Sequence, residues 1–296
     1  MFKAVLLTTL TATLMATQAG AQDLAGTLKK IKETGTINIG HRESSIPFSY
    51  LDDKQQPIGY AMDLCMKVVD AVKAELKMPA LKVALQPVTS SNRIPLLQNG
   101  TIDLECGSTT NSVARQQQVA FGPTYFVINV TAAVKKTSGI NSLAELNGKN
   151  ISTTSGTTAV PLLKGYEKTK SVDVKEIYGK DHAESFLLMA DDRAVAFVMD
   201  DILLAGQIAN SKTPGAYKIL NESLRQEPYS MMLRKDDPQF KSLVDKTISG
   251  VMKSGEIEKI YAKWFTSPVP PKGINMNFPQ TPPLKEAFKT PNDKGV

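Results

Sequence analysis

Two stretches, NRIPLLQNGTIDLECG (92–107) and AESFLLMADDRAVAFVMDD (183–201), decide the fold class. Each runs from a helical pattern through a turn into a short apolar run. The first ends on Cys106-Gly107-Ser108 and the second on Asp200-Asp201, so both place polar residues at the end of a strand. The two agree in pattern and not in identity. A short apolar run bounded by turn signals reads as a buried strand. The alternation continues on both sides, with Thr36–Gly40, Leu81–Pro87, Phe126–Val134, Asn150–Thr154 and Asp173–Tyr178 reading as strands. Asp63–Leu76 carries Leu64, Val68, Val69, Val72 and Leu76 at helical spacing. Ser142-Leu143-Ala144-Glu145 is a capping box that predicts a helix stopped by Gly148. This βα alternation predicts an α/β architecture with largely parallel sheets. Two similar units predict two lobes with polar strand ends, and a ligand site in the cleft between them.

Composition removes whole classes of function. The 296 residues are 42% hydrophobic and 22% charged, which excludes collagen-like, disulfide-scaffold and wholly disordered chains. Lys+Arg 35 against Asp+Glu 29 leaves +6, spread along the chain with no basic block, so no nucleic-acid partner is expected. Lys3, the apolar or Thr run Ala4–Met15 and Ala19-Gly20-Ala21 read as a signal peptide over residues 1–21, cleaved before Gln22. No later segment reaches the roughly 18 apolar residues of a membrane span, so no membrane insertion is expected. With two cysteines and two histidines there is no Cys-rich metal site, and neither a metal nor a cofactor is expected. Cys65 and Cys106 lie in a chain bound for an oxidising compartment, where they either pair or stay as buried thiols; both readings stand. Pro268, Pro270, Pro271, Pro279, Pro282 and Pro283 make the tail a strap, with a helix only over Leu284–Lys289.

Several polar residues sit at element ends, where chemistry collects. Ser155-Gly156-Thr157-Thr158 opens a helix, whose free N–H groups favour an anion. Ser108-Thr109-Thr110 follows a buried strand and offers hydroxyls to a small polar ligand. Arg42 follows the first strand, Arg93 follows Thr89-Ser90-Ser91-Asn92, Arg115 lies just beyond Thr110, and His182 precedes a helix. Asp200 ends an apolar strand, where a carboxylate is costly unless it is paired or used. Taken singly, each reads equally as an N-cap, a turn or a surface residue.

Read in order, these segments resemble the periplasmic solute-binding proteins of the polar amino-acid type, solute-binding protein family 3. The resemblance rests on Ile39–Tyr50, Gly59-Tyr60-Ala61-Met62-Asp63, Ser90–Gly100 and Glu105–Asn111. It continues through Thr154–Thr158, Lys180-Asp181-His182, Phe197–Asp201, Leu233–Pro238, Lys263-Trp264-Phe265 and Pro270-Pro271-Lys272, covering nearly all of the mature chain. Within the family the chain is most similar to the branch that binds glutamate and aspartate for an ABC importer.

The resemblance implies a two-lobe periplasmic-binding-protein-like (type II) α/β clamp with a two-strand hinge. It implies residues 22–134 and 228–275 as lobe 1, 135–227 as lobe 2 and 276–296 as a C-terminal strap, with the chain crossing near Lys135 and returning near Glu227. By position, Arg115 takes the α-carboxylate, with Thr110 and the N–H groups of Thr157 and Thr158 completing that anion site. Asp200 and Ser108 take the α-ammonium. Arg42, Ser90, Arg93 and His182 surround the side-chain carboxylate. An amino-acid backbone needs one Arg and one Asp, so the surplus Arg42 and Arg93 call for an acidic side chain.

The implied partners are an acidic amino acid, glutamate or aspartate, and an ABC permease, met in the periplasm by a monomeric protein that is not an enzyme. The alternatives are a binding protein for another amino acid or dicarboxylate, and a dehydratase-type enzyme of the same fold. Ser108, His182 and Asp200 supply the residue types of a hydrolytic triad, but no Gly-x-Ser-x-Gly elbow precedes the serine.

Overall fold

Strand Thr36–His41 organises the first sheet. It pairs in parallel with Lys82–Pro87 on one side and Leu104–Cys106 on the other. Met232–Leu233 then adds antiparallel to Leu104–Cys106, and Ala120–Phe121 closes the edge. The pattern follows from burial: Ile37, Ile39, Leu104 and Cys106 are fully enclosed, as strands covered on both faces require. Helix Tyr60–Leu76 covers this sheet and packs on Pro238–Lys253 and Glu256–Phe265. The computed structural model describes residues 23–296; the expected signal peptide, 1–21, lies outside them.

The second sheet runs Lys175–Gly179, Asn150–Thr154, Ala196–Asp200, Phe126–Lys135 and Tyr217–Ile219, with Arg225–Tyr229 also paired to Phe126–Lys135. Its first three strands are parallel and Phe126–Lys135 is antiparallel to its neighbours. The chain therefore forms a two-lobe α/β clamp with open sheets. The expected lobe 1 boundary at 134 falls inside this strand, because hydrogen bonding pairs Phe126–Lys135 along its length with strands of the second sheet. Phe126–Lys135 and Arg225–Tyr229 carry the chain between the sheets, preceded by Gly122–Tyr125 and followed by Ser230–Met231. A β-branched run declares a strand, but it does not declare which sheet completes it.

The two crossing strands pair as Phe126↔Tyr229 through Val130↔Arg225. Their lobe 1 ends are sunk in an aromatic cluster. Phe48 meets Phe126 at 4.9 Å and Tyr229 at 5.2 Å, while Phe265 meets Phe126 at 4.8 Å and Tyr261 at 4.4 Å. Rings at these separations anchor the hinge to one lobe beyond their area burial alone.

Several motifs prove to be structural. Trp264 Nε1 and Lys263 Nζ both donate to Asp63 Oδ2 at 2.7 Å, tying the Gly59–Asp63 segment to the last helix of that layer. Arg234 pairs with buried Asp103 at 2.9 Å, and Asp237 caps Pro238–Lys253 by accepting from Phe240 N. Ser142 and Glu145 do bond at 2.9 Å, but they start one 3₁₀ turn, Ala144–Leu146, rather than an α-helix. The tail forms a helix over Pro282–Lys289. Cys65 and Cys106 form a disulfide with Cα atoms 6.0 Å apart, which settles the alternative left open above.

Candidate functional site

The C-terminal ends of both parallel sets face one another across a closed cleft. The backbone of Ser90–Ser91 lies against Gly156, where an added Cβ would stand 2.7 Å from Ser91 Cα. Gly156 also has φ +78°, a left-handed conformation that favours glycine. Arg115 spans the gap, donating from Nη1 to Thr110 O at 2.9 Å and from Nη2 to Gly156 O at 3.1 Å. Gln207 Nε2 donates to Ser44 O at 2.6 Å further along.

One end of the cleft holds Arg42 and Arg93, both almost fully buried. Arg93 Nη1 donates to Thr109 Oγ1 at 2.5 Å and to Ser108 O at 3.3 Å. Thr109 Oγ1 in turn donates a hydrogen bond to Glu105 Oε2 at 2.6 Å, and Glu105 Oε1 lies 3.9 Å from Arg93. Arg42 stays a cation near neutral pH, although burial and then Arg93 lower its pKa to about 10. Two cations and one carboxylate leave this end with one surplus positive charge. Arg42 Nη1, Arg93 Nε and Ser90 Oγ are buried donors without a hydrogen-bond partner within the protein. Unpaired buried donors are costly, on the order of 1–3 kcal/mol each, so they mark a surface built to meet an acceptor.

His182 belongs to this end but plays a different part in the geometry. Arg42 Nη2 sits 3.4 Å from His182 Nε2. A guanidinium only donates, so Nε2 must accept and the ring proton sits on Nδ1. Nδ1 is 3.1 Å from Thr154 Oγ1, which receives it. Burial, with Arg42 and Arg93 beside it, holds the imidazole well below its usual pKa, consistent with this neutral tautomer. The histidine orients Arg42.

The other end holds Asp200, Thr110, Thr158, Glu227 and Arg115. Thr110 Oγ1 and Thr158 Oγ1 donate to Glu227 Oε2 at 2.7 and 2.6 Å, and Arg225 Nε donates to Glu227 Oε1 at 2.9 Å. Tyr229 donates its phenol to Asp200 Oδ2, while Asp200 Oδ1 is buried without a partner. Burial, then the neighbouring Glu227, pushes the Asp200 carboxyl up to about 8. Burial, then Arg93, lowers Arg115 to about 10, so it too stays charged near neutrality. Arg115 and Arg225 balance Asp200 and Glu227 when both acids are ionised.

Every residue named from the sequence lies at this cleft, with two qualifications of detail. Thr157 Oγ1 and N both bond Thr154 O, at 2.8 and 3.3 Å, so its N–H is engaged in a turn. Ser108 Oγ meets Ser45 Oγ at 3.2 Å, near the Arg42–Arg93 end. Sequence reasoning missed Glu105, Glu227 and Tyr229. The signal for Glu105 was present, because a carboxylate inside the apolar run Leu104–Cys106 carries the same burial cost that singled out Asp200. Among the described residues no cluster of His, Cys, Asp and Glu could hold a metal ion.

The model of the bacterial extracellular solute-binding proteins, family 3, matches residues 37–267. An L-glutamate/L-aspartate-binding protein of Pseudomonas aeruginosa is 50% identical over 290 residues, 98% of this chain and 96% of that one. A glutamate/aspartate import solute-binding protein of Escherichia coli is 48% identical, covering 99% of this chain and 97% of its own. Among solved structures, an ancestral arginine-binding protein bound to glutamine superposes with a TM-score of 0.70 at 27% identity, over 78% of this chain and 98% of that one.

Proposed function

The chain belongs to the bacterial extracellular solute-binding proteins of family 3, and we infer that it captures L-glutamate or L-aspartate by lobe closure and delivers it to an ABC permease. It is a binding protein rather than an enzyme, as its close relatives are. It works in the periplasm, as a monomer, after removal of residues 1–21. Its units are lobe 1, lobe 2 and the C-terminal strap, divided at the two crossings.

The observation that carries the ligand class is the buried Arg42–Arg93–Glu105 group, with one surplus positive charge and unpartnered donors. A single side-chain carboxylate neutralises it. Glu105 refines the charge count: the subsite needs one anion, not two, so a neutral side chain leaves one uncompensated cation. At the opposite end Arg115, with the N–H at the helix start Thr158, grips the α-carboxylate as a fork, while the Thr110 and Thr158 hydroxyls stay committed to Glu227 and Thr157 N–H to its turn. Asp200 holds the ammonium, while Ser90, Ser108 and His182 complete the side-chain end, where Ser108 Oγ meets Ser45 Oγ rather than Asp200. Ligand touches both lobes only when they are closed, so it shifts the population toward closure.

A thermal-shift screen of ligand-free protein against the twenty amino acids and small dicarboxylates tests this reading. Glutamate and aspartate should give the largest rises, about 2.7 kcal/mol of added stability at ligand 100-fold above Kd. A larger rise with a basic amino acid, with glutamine or with a plain dicarboxylate would overturn the assignment of Arg42, Arg93 and His182.

Two further results are expected. Gly156→Ala should weaken glutamate about tenfold or more, because the added methyl meets the Ser90–Ser91 backbone only when the lobes close. The left-handed backbone adds about 1 kcal/mol to folding, so titration beside a ligand-free melt separates the two effects. Asp200→Asn should weaken every α-amino ligand about tenfold or more, because the amide brings no charge to the ammonium. Titration with glutamate and glutamine checks this, and unaltered affinity would remove Asp200 from the ammonium site.

A further inference from the structure

We propose that the segment Pro291–Val296 is a positioning element of the ligand clamp, which sets Arg115 by completing the loop that carries it. This rests on the reading that Arg115 grips the α-carboxylate. Thr110 and Arg115 stand at the two ends of one short loop. Its only helix, Val113–Gln116, has four residues and a single side-chain cap, Ser112 Oγ to Arg115 N at 3.3 Å. A helix that short cannot hold itself.

The loop is held from outside. On one side the returning hinge strand grips it, with Asn111 N donating to Pro228 O at 2.9 Å. On the other side the tail pairs with it as a strand would. Val113 N donates to Val296 O at 2.9 Å, and Val296 N donates to Asn111 O at 3.2 Å. The Asn111 side chain is fully buried between the two, and its Nδ2 donates to Asp293 O at 2.8 Å. Gln116 Nε2 donates to Asn111 Oδ1 at 2.9 Å and to Asp293 O at 3.1 Å, closing the far end. The fit is close at Gly295, where an added Cβ would stand 2.9–3.0 Å from Gln116, Asn111 and Ser112 atoms. The tail reaches the crossing as well, since Thr124 N donates to Asn292 O at 2.9 Å.

These contacts come from residues beyond 267, where the family match ends. The tail thus lies outside the family-wide match, and none of its hydrogen bonds is made to the Arg115 side chain. It fixes the backbone on both sides of the arginine; Thr110, at the other end of the loop, is held separately by its bond to Glu227 Oε2 at 2.7 Å, so the effect of the tail on ligand should pass chiefly through Arg115.

The test is a double-mutant cycle by isothermal titration with glutamate. A protein lacking residues 291–296 is compared with the full chain, each with Arg115 and in the Arg115→Lys background. Deleting the tail should raise Kd about tenfold when Arg115 is present and less than twofold in the Arg115→Lys background, with the near-ultraviolet circular dichroism unchanged. If the deletion does not fold, Asn111→Ala enters the same cycle with the tail in place. An unchanged Kd overturns the proposal, and so does an equal loss in both backgrounds, which marks a general structural role. A full chain that binds no acidic amino acid would instead overturn the ligand reading.

Discussion

Arg93→Ala should weaken glutamate and aspartate by about 2–5 kcal/mol, at least a thirtyfold rise in Kd, while changing glutamine less. The substitution cancels the surplus charge, because Arg42 and Glu105 then balance each other. An entering carboxylate loses its desolvated partner, and Thr109 Oγ1 and Ser108 O lose the donor they share. Breaking a buried pair from one side is costly because the remaining charge stays desolvated. Glutamine brings no charge to this end, so it forfeits only a hydrogen bond. Titration of both ligands into wild type and variant gives the two ratios. Equal losses for glutamate and glutamine would remove Arg93 from the side-chain subsite.

The second large effect concerns the fold. The Cys65–Cys106 bridge ties helix Tyr60–Leu76 to the end of strand Leu104–Cys106, next to Gly107 and Ser108. With a sequence separation of 41, loop-closure entropy makes such a bridge worth about 4 kcal/mol. The double variant Cys65→Ala/Cys106→Ala should therefore melt roughly 10 °C lower. Both sulfurs are buried in the lobe 1 core, so the loss should fall on stability rather than on ligand selectivity. Alkylation of the denatured, unreduced protein should label neither cysteine. Full labelling, or a variant that melts with the wild type, would contradict the assignment.

How far the residues alone reached depends on what each feature needs. Local features were legible: the apolar spacing in Asp63–Leu76 names a helix, and the run Asn150–Thr154 is a strand with those bounds. Pairing was not, because a strand's sheet is decided by contacts distant in the chain. Phe126–Val134 is legible as a strand, but its partners in the second sheet are not. The disulfide was open for the same reason, since two positions 41 apart in sequence carry no record of their distance. At the site, the arginines and Asp200 stood out as charges at the ends of apolar runs. Glu227 did not, because Arg225–Tyr229 is polar along its length and a carboxylate there carries no visible burial cost. His182 faces Arg42 in the structure. Its work of orienting Arg42 depends on a tautomer that only the facing guanidinium determines.

The most direct test of the central claim, an amino-acid clamp whose side-chain pocket carries one surplus positive charge, is isothermal titration of the ligand-free protein with glutamate and with glutamine. The two ligands share a backbone and differ only in the charge presented to Arg42, Arg93 and Glu105. Glutamate should bind at least thirtyfold more tightly, the equivalent of about 2 kcal/mol for one buried, uncompensated cation. Glutamine binding as tightly as glutamate, or more tightly, would contradict the account.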